Sequence, residues 1–81
     1  MEAVALSALS PGDGGTITGL AGLPAMTRQR LLEMGIIRGV HVRFVRRAPL
    51  GDPIEIHLKG YRLMLRGTEA RCIMIQKEGG A

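Results

Sequence analysis

Glycine sets the strongest limit on what this chain can fold into. It occupies 12 of 81 positions, and Gly12, Gly14, Gly15, Gly19, Gly22, Gly35, Gly39, Gly51, Gly60 and Gly67 cut the apolar stretches into short pieces. Punctuation of this kind predicts short strands joined by tight turns. Turn residues fill Ser10 to Gly15, and the β-branched run Thr16-Ile17-Thr18 behind them reads as a short first strand.

Period-two alternation then dominates the second half. Val40, Val42 and Phe44 share one face, with His41, Arg43 and Val45 on the other. After the turn Ala48-Pro49-Leu50-Gly51-Asp52-Pro53, the residues Ile54, Ile56 and Leu58 point inward while Glu55, His57 and Lys59 point to water. Beyond Gly60, Tyr61, Leu63 and Leu65 alternate with Arg62, Met64 and Arg66 in a third long strand. Thr68 to Arg71 suits one helical turn, with Thr68 near its cap. Ile73 and Ile75 supply a last short strand, and Lys77 to Ala81 reads as a frayed tail.

One segment departs from this pattern. Ala25 to Met34 has neither Gly nor Pro and sets Met26, Leu31, Leu32 and Met34 near helical spacing, so it predicts a short α-helix. Gly35 suits the left-handed position after its end, which brings Ile36 against Leu31. Arg28, Gln29 and Arg30 face water. The expected architecture is mainly β: one domain over residues 1–81, a small SH3-like barrel of about five strands. The α-helix follows the first strand and a helical turn precedes the last.

Composition narrows the function classes. Hydrophobic residues at 46% supply one core, and the lone Cys72 cannot form an internal disulfide. No apolar run approaches the ~20 residues of a spanning helix. Ala3 to Leu9 makes a poor signal peptide, so cytoplasmic residence is expected. The two histidines and one cysteine form no catalytic constellation, and Gly12-Asp13-Gly14-Gly15 lacks the Gly-Lys-Ser/Thr of a phosphate loop. No enzyme activity and no cofactor is expected. His41 and His57 share the outward register of neighbouring strands, but two ligands do not make a metal site.

Eleven Lys and Arg against seven Asp and Glu leave a formal charge of +4, which favours an acidic partner surface or nucleic acid. Arg43, Arg46, Arg47, Arg62 and Arg66 crowd the outer strand face. Phe44 and Tyr61 are the only aromatic residues and both fall in the inward register, so no platform is left for stacking bases. The charge therefore points to a protein partner, with a basic nucleic-acid-binding barrel as the alternative.

The run Arg30-Leu31-Leu32-Glu33-Met34-Gly35-Ile36, then Gly39, then Ala48-Pro49-Leu50-Gly51-Asp52-Pro53-Ile54-Glu55-Ile56, then Leu65-Arg66 and Glu69-Ala70, resembles the FeoA family over Leu6 to Ile75. The resemblance implies an SH3-like accessory protein of bacterial ferrous iron uptake, working with a FeoB-type membrane transporter that bears a cytoplasmic GTPase domain. Related domains also end iron-dependent repressors, so regulation of a metal-responsive repressor is a further alternative. Most of the signature serves turns and packing. The partner-binding residues are expected beside it, at Leu50, Asp52, Arg43, Arg46 and Arg47.

Overall fold

The structure is a computed structural model and describes residues 3–79. In chain order it contains β1 (Ala3–Ala5), a 3-10 turn (Leu6–Ala8), β2 (Gly14–Leu20), α1 (Ala25–Glu33), β3 (His41–Arg47), β4 (Ile54–Leu58), β5 (Tyr61–Leu65), α2 (Gly67–Ala70) and β6 (Ile73–Lys77). The strands form one sheet in the order β1-β6-β2-β3-β4-β5, antiparallel throughout. Register shifts between Ile17 and Gly19 in β2 and between Phe44 and Arg46 in β3 mark the irregular points of the sheet, and shifts of this kind bend and twist the strands that carry them. A mainly β fold with few helices, consistent with an SH3-like architecture, agrees with the expected class.

The sheet has one strand more than expected. β1 pairs with β6 from the far end of the chain, Val4 opposite Ile75. Three residues, two of them alanine, carry no strand periodicity. The fully buried Leu6 and the nearly buried Leu9 behind β1 show why that end is held. Consequently α1 follows the second strand. Gly14 and Gly15 also belong to β2 and not to the turn before it. A Cβ on Gly15 would overlap the backbone oxygen of Gln76 and stand 2.5 Å from Ile75 Cγ2. The glycine there marks a close approach of β2 to β6, not a bend.

The alternation places the core correctly: Val42, Phe44, Ile54, Ile56, Leu58, Leu65, Ile73 and Ile75 are all buried. Tyr61 is not buried. It stands at the rim of the sheet, 41% exposed, and its hydroxyl donates to the Met34 carbonyl at the end of α1. The inward register predicted for it holds, since it pairs with the buried Leu58, but as the first residue of the strand it overhangs the core and stays partly exposed.

α1 ends as expected. The Ile36 N–H donates to the Leu31 carbonyl at 3.0 Å and the Gly35 N–H to that of Leu32 at 3.1 Å, with Gly35 at φ +98°. This is the Schellman pattern, and both Leu31 and Ile36 are fully buried in the core. Of the four apolar positions in the predicted helix only Leu31 is fully buried, and Met26 is 86% exposed. The helix therefore meets the core through its last turns. The expected frayed tail is also shorter than predicted: Lys77 pairs with Gly15 and the Glu78 N–H donates to the Gly14 carbonyl at 2.8 Å. Residues 80 and 81 of that segment lie outside the described residues. Among the described residues no helix is long and apolar enough to cross a membrane.

Candidate partner-binding surface

Cross-strand register builds the outer face of β3, β4 and β5. Arg43 stands opposite His57, which stands opposite Arg62, and Arg46 stands opposite Glu55, which stands opposite Met64. Glu55 belongs to the face expected to meet water, yet it is 6% exposed. Arg46 Nε donates to its Oε1 at 3.0 Å, and Arg62 Nε lies 3.3 Å from Oε2. The two arginine side chains stay 62% and 75% exposed. Long arginine stems from both neighbouring strands cover the short carboxylate on the strand between them.

Arg43 and Arg47 are equally engaged, but Arg47, expected on this face, stands opposite the buried Ile54 on the inner side of β3, because the register shift after Phe44 turns Arg46 outward in its place. Arg47 Nη2 donates to the carbonyls of Ser7 at 2.6 Å and Leu9 at 3.1 Å. Its guanidinium carbon sits 4.9 Å from the centroid of the buried Phe44 ring, within cation–π range. Arg47 thereby ties β3 to the segment behind β1. Arg43 donates to the Gly12 carbonyl at 3.0 Å and to Glu78 Oε2 at 3.2 Å. Asp52 Oδ1 accepts from the Gly67 N–H at 2.6 Å, at the start of α2. Leu50 alone of the five sequence-selected residues has no side-chain partner among the described residues. It is 97% exposed at a turn closed by the Gly51 N–H on the Ala48 carbonyl at 2.7 Å.

A cleft of about 550 Å³ opens beside β5, with Leu23, Thr27 and Arg30 on one wall and Met64, Arg66 and Glu69 on the other. Glu69 is 7% exposed; it accepts from the Arg66 N–H at 3.0 Å and pairs with Arg30. Met64 on the far wall is 49% exposed. Sequence reasoning did not single out this cleft. Its signal was Met64, a large apolar residue at an outward position of an alternating strand.

At the opposite corner, His41 Nε2 hydrogen-bonds Glu78 Oε1 at 2.6 Å. That bond, helped by the charge of Arg43, holds the Glu78 carboxyl below its ordinary value. The Ser10 N–H, 2.9 Å from Asp13 Oδ2, lowers the Asp13 carboxyl likewise, with help from Lys77 at 3.5 Å. Among the described residues no three of His, Cys, Asp and Glu gather where a metal ion would bind.

Among the described residues, six strands, two short α-helices and a surface of engaged arginines beside exposed apolar side chains make a mainly β module consistent with an SH3-like fold. The FeoA domain matches residues 4–77, and the chain belongs to that family. It is 40% identical to the FeoA protein from Chlorobium tepidum, covering 96% of this chain and 73% of that one with a TM-score of 0.86. FeoA from Stenotrophomonas maltophilia, described as a prokaryotic SH3 domain protein and complexed with zinc, is 27% identical over 96% of this chain and 99% of that one, with a TM-score of 0.81. A fusion protein of Porphyromonas gingivalis joins Fe(2+) transport protein A to the Fe(2+) transporter FeoB. It is 35% identical over 71 residues, 88% of this chain, and the chain spans 8% of its length.

Proposed function

We propose that this protein, acting over residues 1–81 as one unit in the cytoplasm, is a non-catalytic accessory protein of ferrous iron uptake. It binds the cytoplasmic part of a FeoB-type membrane transporter, at or beside the GTPase domain. The observation that carries this reading is the Porphyromonas gingivalis relative, in which the FeoA-like part and FeoB share one polypeptide. Joining two modules raises the concentration of each at the other to the millimolar range for short linkers, which matters where a weak contact has to persist.

The contact centres on Leu50. Asp52 holds its turn against α2, and Arg43 and Arg46 on the outer face, with Arg47 exposed at the rim of the inner side, set the basic surface beside it while bound to their own partners. Such a surface contributes one apolar anchor and a steering field, so binding is modest and salt-sensitive. Titration calorimetry of the whole chain against the purified cytoplasmic part of the transporter, at low and high salt, tests the reading. Saturable binding that weakens with salt supports it. Absence of binding, together with normal ferrous iron uptake in cells lacking the protein, overturns it.

A further inference from the structure

β5 is an edge of the sheet, and the hairpin before it determines which of its backbone groups are spoken for. The two-residue turn Lys59-Gly60, with φ +48° and +83°, makes Leu58 and Tyr61 the closing pair, and closing pairs of such turns exchange both hydrogen bonds. Bonding then alternates along the ladder, so Leu63 and Leu65 also face β4. The N–H and C=O groups of Arg62 and Met64 point the other way, along the edge that borders the cleft between β5 and α1.

The side chains of that edge form a pattern. Arg62, Met64 and Arg66 follow one another on the outer face, all exposed. Arg62 already leans on Glu55, whereas Arg66 makes no ion pair among the described residues. The opposite edge, β1, is three residues long and carries Ala3, Val4 and Ala5, with no charge to select a partner. Exposed edges of regular strands are templates for another strand.

We infer that β5 is a strand-addition site, and that its occupant is an extended acidic segment of the transporter's cytoplasmic part. This rests on the proposed function. The added strand hydrogen-bonds to the backbone of Arg62 and Met64. Side chains alternate across a sheet, so its outer-face residues at i, i+2 and i+4 lie beside Arg62, Met64 and Arg66. The complementary order is carboxylate, apolar, carboxylate. Main-chain bonds supply affinity, and the alternate positions supply selection.

Amide hydrogen exchange of the whole labelled chain, followed by NMR with and without the purified cytoplasmic part of the FeoB-type transporter, tests the site. Exchange at Arg62 and Met64 is expected to slow at least tenfold on binding, while Leu63 and Leu65, already bonded to β4, change little. Arg66→Ala is expected to raise the Kd about tenfold with an unchanged melting temperature. A complex that forms while both edge amides exchange as in the free protein overturns the strand-addition site and leaves the transporter reading intact. No complex at all overturns both.

Discussion

Arg46 and Glu55 hold each other across β3 and β4, Nε to Oε1 at 3.0 Å, and the glutamate in this pair is 6% exposed. An arginine placed on the outer face by its register is therefore also a cover for a buried charge. Arg46→Glu would set two carboxylates against each other with Arg62 alone to offset them. Breaking a fully buried pair costs about 3–5 kcal/mol. Because the Arg46 side chain is 62% exposed, solvent screening reduces this to about 1–3 kcal/mol. Urea denaturation of the variant checks the figure, and an unchanged midpoint would show that water already solvates Glu55.

Ile56 lies between Phe44 and Leu63 in the ladder and is fully buried. Ile56→Asp places a carboxylate there with no cationic partner. The cost is several kcal/mol, comparable with the whole stability of roughly 4–12 kcal/mol for a chain this size. Circular dichroism should show an unfolded protein at neutral pH. A cooperative transition near that of the parent would contradict the inward register of β4.

The long strands were legible because period two is a local signal. From Val42 to Leu65 each strand alternates, and apart from the rim residue Tyr61 the inward positions entered or bordered the core. The helix end was equally readable, since Gly35 and Ile36 have a local geometric meaning. β1 was not, because its pairing with β6 joins residues more than 65 positions apart and two of its three side chains are methyl groups. The candidate surface was legible in part. Leu50 stood out as a leucine in a turn. The intramolecular partners of Arg43, Arg46, Arg47 and Asp52 depend on distant backbone carbonyls, carboxylates and N–H groups that no spacing reveals.

Gly15 gives a sharper test of the β2 and β6 contact. Gly15→Ala would drive a methyl group into the Gln76 carbonyl and Ile75, and overpacking of this kind costs about 1–3 kcal/mol. The same change at Gly19, where the nearest atom is the end of the Arg38 side chain at 4.0 Å, should leave the thermal midpoint within about 2 °C, because surface substitutions stay within about 0.5 kcal/mol. Equal losses at both positions would show that chain flexibility, not close approach, sets the effect.

Acid should loosen the corner where β6 ends. The Glu78 carboxyl titrates below its unfolded value of about 4.3, so its stabilising contribution is complete above that value and is lost as pH falls through the lower, folded value. The expected result is a fall in unfolding midpoint between about pH 5 and pH 3 that is smaller in Glu78→Gln, with the His41 ring and the Gly14 backbone signals shifting over the same interval. An identical acid dependence in the variant would assign it to other carboxylates.

Leu50 offers the cleanest probe of the partner surface because nothing in the fold depends on its side chain. At 97% exposure, Leu50→Ser should change stability by no more than about 0.5 kcal/mol. Burying a leucine against a partner contributes about 1.5–3 kcal/mol, so losing it should raise the Kd for the transporter's cytoplasmic part roughly ten- to hundredfold, and ferrous iron uptake should fall with it. Charge reversal at Arg46 or Arg47 tests binding less well, since it also disturbs Glu55 or the carbonyls of Ser7 and Leu9. Asp52→Ala occupies a middle position: it frees the Gly67 N–H and loosens the turn that presents Leu50, so a weaker effect in the same direction is expected. Unchanged affinity in Leu50→Ser, measured by calorimetry on a protein with an unchanged melting temperature, would remove the turn from the contact and leave the free edge of β5 as the surface that the partner meets.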